Sequence, residues 1–329
     1  MHDLTFHGGR LDVAAQRYPD APRPWIDLST GLNPFAWDAA SVPIDWRALP
    51  SDAARRALET AAATAFGAAH LPVAAVPGSE AALHALAGLD LPRPFTIIGP
   101  GYRGHGAALP GARMVAADAL EAAAAAGGTL LLANPNNPDG RRLPPERLRS
   151  VATMLAAKGG LLIVDEAFAD AVPGTSLLPS LCTDDPVLVL RSFGKFYGLA
   201  GLRLGFVLGA GRPVAALAAR MGSWPVSAAA IAIGTAAYRD RHWPAMTVAR
   251  LEAAGARLDA LLRRHDLEPI GDCPLFRLVE SERVPALFDR LARAGILTRP
   301  FAEDARRLRF GLPGGAAAWD RLAAVLADG

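Results

Sequence analysis

Lys195 is one of only two lysines in this chain of 329 residues, since 32 of its 34 basic residues are arginines. The other lysine, Lys158, ends a predicted helix at AAKGG, where a cation suits the negative end of the helix dipole. Lys195 lies in SFGKFYG and has no such explanation. An arginine stays protonated and cannot act as an amine nucleophile. A lysine kept at this position therefore indicates Schiff-base chemistry.

Asp165 directly follows the apolar run LLIV. One interpretation is a carboxylate that caps the strand end or pairs with an arginine. The other is a buried anion that stays ionised because it faces a cationic partner, since burying a lone carboxylate is costly. A protonated pyridine nitrogen is one such partner.

Residues suited to a phosphate group occur at two places in the chain. Ser192 and Arg203 lie on either side of Lys195, and a hydroxyl with a guanidinium binds phosphate well. The stretch VPGSEAALHAL predicts a helix N-terminus, which favours an anion through its free N–H groups and its dipole. In that stretch Gly78 lets the backbone approach the anion, and Ser79 is predicted to cap the helix.

The elements that must position these residues follow an α/β pattern. Short Val/Ile/Leu-rich runs without strict alternation are typical of strands buried on both faces, which favours a mainly parallel sheet covered by helices. The predicted strands are FTIIGP (95–100), GTLLLANP (128–135), GLLIVDEAF (160–168), PVLVLRSF (186–193) and RLGFVLG (203–209). Helices are predicted at 79–88, 144–157 and 213–221. Asn137, Asp165 and Ser192 with Lys195 then fall beyond the carboxyl ends of three strands, the edge where open α/β sheets bind ligands.

The domain organisation changes at both ends of this core. Residues 1–45 are predicted to form an irregular N-terminal arm that packs near the active site and the small domain. Residues 46–223 are predicted to form a large cofactor-binding domain, and residues 224–329 a small C-terminal domain. The second domain is predicted from a long amphipathic stretch near 244–265, followed by short strands and helices.

Composition excludes several classes of function. The net charge of +2 gives no reason to expect nucleic acid or an acidic membrane as a partner. Cys182 and Cys273 are isolated and lack metal-ligand spacing, which favours a reducing cytoplasm and no metal. The N-terminal sequence lacks the apolar core of a signal peptide, and no apolar run approaches the roughly 20 residues that span a bilayer. No predicted strand precedes a G-x-G-x-x-G turn, which argues against a nucleotide-binding Rossmann protein.

Three motifs in order, NPNNPDG, LLIVDEAF and SFGKFYGLAGLRLGF, resemble those of the fold-type I pyridoxal-phosphate enzymes. The closer resemblance is to the class I/II aminotransferase superfamily, the group that includes histidinol-phosphate aminotransferase. It implies an α/β fold of the PLP-dependent transferase type, with a mainly parallel sheet in the large domain and a smaller α+β C-terminal domain. Within that group, HGGRLDVAAQRYPDAPRPWIDLSTGLNPF, LRFGLPG and Phe168 in DEAF resemble the threonine-phosphate decarboxylase branch of cobalamin biosynthesis.

The resemblance implies pyridoxal 5′-phosphate as cofactor and gives each motif residue a role. Lys195 forms the Schiff base, Asp165 pairs with the pyridinium nitrogen, Asn137 binds the phenolic oxygen, His105 stacks on the ring and Phe168 belongs to the cofactor site. Gly78, Ser79 and Glu80 offer backbone donors to the cofactor phosphate, together with Ser192 and Arg203. Arg309 binds the substrate carboxylate.

A phosphorylated substrate also needs a second anion site. Candidates for it are His7, Arg141 and Arg299, with Asn33 as a polar wall. Two departures from the family pattern affect the cofactor phosphate. Leu49 precedes Pro50 where the family often has a Tyr that reaches the partner subunit's cofactor, and Val76-Pro77 replace the first glycine of the phosphate turn.

The implied reaction is decarboxylation of L-threonine O-3-phosphate to (R)-1-amino-2-propanol O-2-phosphate. The alternative is an aminotransferase of the histidinol-phosphate type, because an arginine that holds the carboxylate in the ring plane favours transamination. A non-catalytic pyridoxal-phosphate carrier or regulator is a further alternative, although no DNA-binding extension precedes the core. The resemblance also implies a homodimer that acts on a small amino acid phosphate, and the two isolated cysteines favour a cytoplasmic location.

Overall fold

The computed structural model describes residues 4–5 and 7–328. Its helices of four or more residues cover both halves of the chain. They are α1 (Leu11–Arg17), α2 (Asp52–Ala65), α3 (Ser79–Leu86), α4 (Gly104–Ala108), α5 (Leu120–Ala125), α6 (Pro145–Ala156), α7 (Phe193–Phe196), α8 (Gly211–Arg220), α9 (Ala228–Arg239), α10 (Trp243–Arg264), α11 (Val284–Arg293) and α12 (Ala316–Ala327).

The strands are short and mostly buried. They are β1 (Ile26–Asp27), β2 (Val73–Val76), β3 (Phe95–Gly99), β4 (Arg113–Ala116), β5 (Thr129–Ala133), β6 (Leu161–Asp165), β7 (Val187–Ser192), β8 (Gly205–Gly209), β9 (Phe276–Glu280), β10 (Ile296–Leu297), β11 (Arg299–Pro300) and β12 (Arg307–Gly311).

A seven-stranded sheet with the order β2-β8-β7-β6-β5-β3-β4 forms the centre of the larger part of the chain. Strands β3 to β7 pair in parallel, and β8 runs antiparallel to both β7 and β2. The mainly parallel α/β sheet predicted from the sequence is therefore confirmed. All five predicted strands are present, and each is shorter than its predicted range by one or more residues at its ends.

Two strands of this sheet layer, and helices α2, α4, α7 and α9 around it, were not predicted from the sequence. Strand β2 is the short run VAAV, and β4 is the largely exposed edge run RMVA, so neither has the dense Val/Ile/Leu pattern of the central strands. Helix α2 is rich in alanine and packs against α9. Its N-terminus is capped by Ser51, whose hydroxyl accepts a hydrogen bond from the backbone N–H of Ala54.

The core of the sheet layer is made by helices that close over the central strands. Leu83 and Leu86 on α3 pack with Ile163, Leu188 and Val207 on β6, β7 and β8, and all five are at most 1% exposed. Burial of a leucine or isoleucine side chain contributes about 1.5–3 kcal/mol. This packing makes a rigid base for the polar residues at the carboxyl ends of β6 and β7.

The chain divides into two compact units. The larger consists of residues 36–137 and 141–245, and the smaller of residues 138–140, 246–329 and the described part of 1–35. The smaller unit contains a three-stranded antiparallel sheet, β11-β12-β9, and the parallel pair β1 and β10. The predicted bounds and roles of the N-terminal arm, the large domain and the small domain stay predictions.

Among the described residues, the structure has no helix that is both long and apolar enough to cross a bilayer.

Candidate active site

Asp165 and His105 form a buried pair at the end of β6. His105 Nε2 lies 2.9 Å from Asp165 Oδ2, and both residues are buried. The second carboxylate oxygen, Oδ1, accepts a hydrogen bond of 3.1 Å from the backbone N–H of Ala167. Asp165 is therefore a buried acceptor held in a fixed orientation, and its pairing with a cofactor nitrogen stays a prediction. His105 has a partner that the sequence did not indicate, and its stacking on a cofactor ring stays a prediction.

Lys195 lies on the short helix α7, directly after β7. Its Nζ is 5.7 Å from the centre of the Phe168 ring, so the lysine and the Phe of the DEAF motif lie near one another. Stacked aromatic rings pack at this helix. The ring centre of Phe193 lies 4.4 Å from that of Tyr197, and the ring centre of Tyr197 lies 5.2 Å from that of Trp243. Aromatic packing of this kind fixes the position of the turn that carries the lysine.

Residues suited to a phosphate group converge at the N-terminus of α3. A Cβ atom added to Gly78, which has φ +86°, would lie 2.9 Å from Arg203 Nη2, so the guanidinium reaches this turn. A Cβ on Gly205, the β8 residue paired with Ser192, would lie 2.6 Å from the backbone nitrogen of Ser79. Glycine is required at both positions because the backbones and the guanidinium approach so closely.

The predicted role of Ser79 as the helix cap is wrong. Gly78 is the N-cap residue, Ser79 is the first helical residue, and no side chain caps the α3 N-terminus within the described residues. The first-turn N–H groups thus face no capping side chain, which suits an external anion. Arg203 has φ +54° in the left-handed region, a conformation that residues other than glycine rarely adopt and that clusters at functional sites.

A second set of charges lies on the opposite side of the strand ends. Because side chains alternate along a strand, Glu166 and Arg191 point away from their neighbours Asp165 and Ser192. Arg191 Nη1 donates to Glu166 Oε2 at 2.9 Å, and its Nη2 donates to Asp170. Burial raises the pKa of both Glu166 and Asp170, and the charge of Arg191 opposes this shift. The network ties residues 170–177 to the strands that carry the site.

Replacing Arg191 with Met is expected to reduce the free energy of unfolding by about 3–5 kcal/mol, because it leaves two buried carboxyl groups without their cation. A buried acid with a raised pKa stabilises the fold below its ordinary pKa and loses that contribution as pH rises through the raised value. The deficit should therefore be larger at about pH 8 than at about pH 5, measured by urea unfolding.

Arg149→Met is the matched control, since Arg149 pairs with Asp185 at the surface and its side chain is 36% exposed. That variant should lose at most about 1 kcal/mol. Equal losses in the two variants would show that the buried Arg191 network contributes no more to the free energy of unfolding than the surface pair of Arg149 and Asp185.

Two arginines of the smaller unit lie side by side. Arg299 on β11 and Arg309 on β12 are paired residues of adjacent strands, and both are buried. Arg309 Nη2 donates to the backbone oxygen of Ser29 at 2.9 Å. Burial, and then the nearby charge of Arg299, lowers the pKa of Arg309. Two guanidinium groups in one buried place make an environment that favours an anion.

The remaining predicted residues are placed as follows. Asn33 is buried and its side-chain oxygen accepts a hydrogen bond from the Phe35 N–H, while His7 in the smaller unit is half-buried. In the larger unit Asn137 and Arg141 are half-buried, and Leu49 is 68% exposed. The binding roles of these residues stay predictions.

Tyr102 is a site residue that the sequence analysis missed. Its hydroxyl donates to Glu80 Oε2 at 2.8 Å, and its ring meets the His105 ring edge-on at 5.7 Å between centres. Through these contacts Tyr102 links Glu80 on α3 to His105, which contacts Asp165 at the end of β6. The signal was present in GPGYRGHG, where an aromatic residue precedes His105 by one helical turn.

Pyridoxal phosphate has a cationic ring nitrogen, an aldehyde and a dianionic phosphate, and the larger unit offers a partner for each. Asp165 is a buried carboxylate for the ring nitrogen, Lys195 supplies an amine, and Arg203 and the uncapped α3 N-terminus suit the phosphate. The glycines at this turn leave the space that a Cβ would fill. The residues present therefore fit this cofactor.

Residues 111–325 match the family model described as aminotransferase class I and II. A threonine-phosphate decarboxylase of Pseudomonas aeruginosa is 42% identical and the match covers 97% of this chain and 96% of the relative. A threonine-phosphate decarboxylase of Sinorhizobium sp. is 40% identical, with 98% and 97% covered. The solved structure of histidinol-phosphate aminotransferase from Sinorhizobium meliloti in complex with pyridoxal-5′-phosphate has a TM-score of 0.80 at 23% identity, with 96% of this chain and 94% of that one covered.

Proposed function

This chain belongs to the class I and II aminotransferase family, and from that premise we propose that it is a pyridoxal-phosphate-dependent threonine-phosphate decarboxylase. The substrate is L-threonine O-3-phosphate and the product (R)-1-amino-2-propanol O-2-phosphate, which places the reaction in cobalamin biosynthesis. The observation that carries the proposal is the match of nearly the whole chain to two proteins of that name. The resemblance of the sequence motifs to those of the threonine-phosphate decarboxylase branch agrees with this proposal.

The bound cofactor supplies an electron sink for the negative charge that is left on Cα when one of its bonds breaks. The protein's part is to hold that group in one orientation. Asp165 keeps the ring nitrogen protonated, and Asn137 binds the phenolic oxygen. Ser79, Ser192 and Arg203 hold the phosphate. Lys195 would hold the aldehyde end of the group through its amine Nζ.

The substrate carries two anionic groups, a carboxylate and a phosphate. The paired, buried Arg299 and Arg309 supply two guanidinium groups in one place, which supports a doubly anionic substrate. We assign the carboxylate to Arg309 and the phosphate to Arg299. His7, Arg141 and Asn33 complete the proposed phosphate site.

In the reaction the bond from Cα to the carboxylate carbon breaks and CO2 leaves. A proton is then added to Cα, and the amine is the product. Lys195 Nζ is the proposed donor of that proton, since it is the amine that would lie at the aldehyde end of the group, beside Cα. No second substrate is consumed, so the reaction is balanced without an oxo-acid.

The test is incubation of the purified protein with L-threonine phosphate, with and without an added oxo-acid, followed by assay of CO2 and the amine. The proposal predicts that CO2 and the amine form in equal amounts and independently of the oxo-acid. A requirement for the oxo-acid, without CO2 release, would identify an aminotransferase instead. Cofactor bound at full occupancy, with no turnover of any amino acid, would identify a non-catalytic carrier.

Replacing Arg309 with Lys is expected to raise KM for threonine phosphate roughly 10- to 100-fold, with a smaller change in kcat. A lysine keeps the charge but lacks the planar fork that binds both carboxylate oxygens. Arg307→Lys on the same strand is the matched control, because Arg307 faces Glu280 and Asp304 and is partly exposed. Steady-state kinetics that show the same KM for both variants would remove Arg309 from the substrate site.

We also propose that the enzyme is a cytoplasmic homodimer. The exposed Trp46 and Leu49, at 76% and 68%, lie just before α2 and give the larger unit an apolar surface that a second copy would cover. Since Leu49 stands where relatives often carry a Tyr, the proposed dimer does not add a Tyr hydroxyl to the partner's cofactor phosphate. Light scattering of the purified protein that gives the mass of a single chain would contradict the dimer.

A further inference from the structure

Ser29 lies in a turn between two parts of the smaller unit that carry candidate substrate-binding residues. The turn directly follows β1, which pairs with β10. Ser29 is 2% exposed, so its polar atoms need hydrogen-bond partners within the protein. It finds them on both sides of the turn, in the HGG loop (residues 7–9) and in β12.

The side chain of Ser29 holds the HGG loop. Its hydroxyl oxygen accepts a hydrogen bond of 2.7 Å from the backbone N–H of Gly9. The loop approaches the turn closely, since a Cβ atom added to Gly8 would lie 2.4 Å from the Ser29 carbonyl oxygen. Gly9 has φ +78°, in the left-handed region that favours glycine. The loop that begins with His7 is therefore fixed to the turn by a short hydrogen bond and by close backbone packing.

The backbone of the same residue holds Arg309. The Ser29 carbonyl oxygen accepts a hydrogen bond of 2.9 Å from Arg309 Nη2. Two residues further along β12, the N–H of Gly311 donates to the oxygen of Leu28 at 2.7 Å, and a Cβ atom on Gly311 would lie 2.4 Å from the Thr30 oxygen. Strand β12 therefore packs directly against the turn, and the turn sets the position of the guanidinium.

Asp27 fixes the turn itself. Its Oδ1 accepts hydrogen bonds from the backbone N–H of Ser29 at 2.8 Å and from the Ser29 hydroxyl at 2.5 Å. Because the hydroxyl gives its one proton to this carboxylate, it meets the Gly9 N–H only as an acceptor. Burial, and then the charge of Arg299, lowers the pKa of Arg309, and the charge of Asp27 is among the influences that oppose this shift. The carboxylate that orders the turn thus also favours the charged guanidinium.

Ser29 joins two elements that are proposed to bind opposite ends of one substrate. Arg309 is the proposed partner of the carboxylate, and His7 of the HGG loop belongs to the proposed phosphate site. In threonine phosphate these two anionic groups are linked only through Cα, Cβ and one ester oxygen, so their separation varies little. A site gains affinity from both groups when its binding elements are held at the matching separation before the substrate arrives.

We propose that Ser29 is a positioning residue that sets the separation between Arg309 and the HGG loop, and that it thereby selects amino acids that carry a phosphate on the Cβ oxygen. This inference rests on the proposed function for the identity of the substrate. Ser29 acts through its neighbours and not by contact with the substrate, because its hydroxyl is engaged with Gly9 and Asp27.

The test compares threonine phosphate with L-threonine, which has the same carboxylate and no phosphate. Ser29→Ala removes the hydroxyl that holds the loop and keeps the backbone carbonyl that holds Arg309. In steady-state kinetics of the holoenzyme, KM for threonine phosphate should rise about 10-fold with kcat nearly unchanged. The inhibition constant of L-threonine should change less than about 2-fold, because this ligand does not use the loop.

Thr30→Ala is the matched control and should change neither constant, because the only hydrogen-bond partner of its hydroxyl among the described residues is Asp27, at 3.5 Å. Equal weakening of both ligands by Ser29→Ala would make Ser29 a general structural residue, and no weakening of either would leave it no role; both results overturn the proposal. If the Ala variant does not fold, Ser29→Gly provides the same comparison. A wild type that releases no CO2 from threonine phosphate would contradict the proposed function instead, and absorbance titration of the holoenzyme with the two ligands would still test Ser29.

Discussion

An enzyme in which Lys195 is replaced by Arg is expected to lose at least about 10⁴-fold in kcat, the largest effect of any single change in this chain. The guanidinium of Arg stays protonated, so it neither attacks an aldehyde nor returns a proton from its nitrogen to Cα. The loss of activity follows from the loss of the amine nucleophile and not from a change of charge, because lysine and arginine side chains are both cationic when exposed to solvent. Kinetic assay of kcat, combined with borohydride reduction and peptide mapping, measures both functions of the amine.

The chain provides a matched control for this prediction, since Lys158 is its only other lysine. Lys158 lies at the exposed end of α6, where an arginine serves as well, so Lys158→Arg should keep full activity. In the wild type the borohydride label should be found on the peptide that contains Lys195 alone. A label on Lys158, or substantial turnover by the Lys195→Arg enzyme, would disprove the assignment.

The sheet and the residues at its edge could be predicted from the sequence because they depend on local patterns. Runs such as TLLLA and LLIVD are buried along their whole length, and such runs indicate central parallel strands. Once the strands are placed, the residues that follow them share one edge of the sheet. Asp165 and Ser192 are therefore predictable as neighbours from spacing alone.

Other features depend on contacts between distant parts of the chain, and no local pattern reveals them. The bond between His105 and Asp165 joins residues 60 positions apart. The pair of Arg299 and Arg309 depends on the register between β11 and β12. The antiparallel direction of β8 could not be predicted, because its apolar run resembles those of the parallel strands. The turn after α7 sets that direction. The approach of the Arg203 guanidinium to Gly78 joins the turn before β8 to the turn before α3.

The buried Arg191 network shows a further limit of sequence analysis. Glu166 and Arg191 each stand beside a residue with a predicted role, and neither was itself predicted to have one. Alternation of side chains along a strand places these two on the opposite face, which is a usable signal. Their partner Asp170 lies in a turn after β6, and that contact is visible only in the structure. Support for a site is thus harder to predict than the site itself.

Replacing Asp165 with Asn is expected to lower kcat by roughly 10³-fold. An amide is close to isosteric with the carboxylate but carries no charge, so it does not keep the ring nitrogen of the cofactor protonated. Without that proton the ring withdraws fewer electrons from Cα in the transition state, and KM should change much less than kcat. Steady-state kinetics on the substrate, together with a titration of cofactor binding, measure these effects separately.

The controls for this change separate charge from shape. Asp165→Glu keeps the charge at a longer reach, so its kcat should exceed that of the Asn variant. Asp185→Asn alters a carboxylate of the surface pair with Arg149 and should leave kcat unchanged. The Asn variant also places an amide opposite His105 Nε2, where its oxygen still accepts the hydrogen bond if the amide adopts that orientation. Loss of activity with this bond preserved would show that the charge of Asp165 carries the effect, and an Asn variant as active as the wild type would refute the pairing with the ring nitrogen.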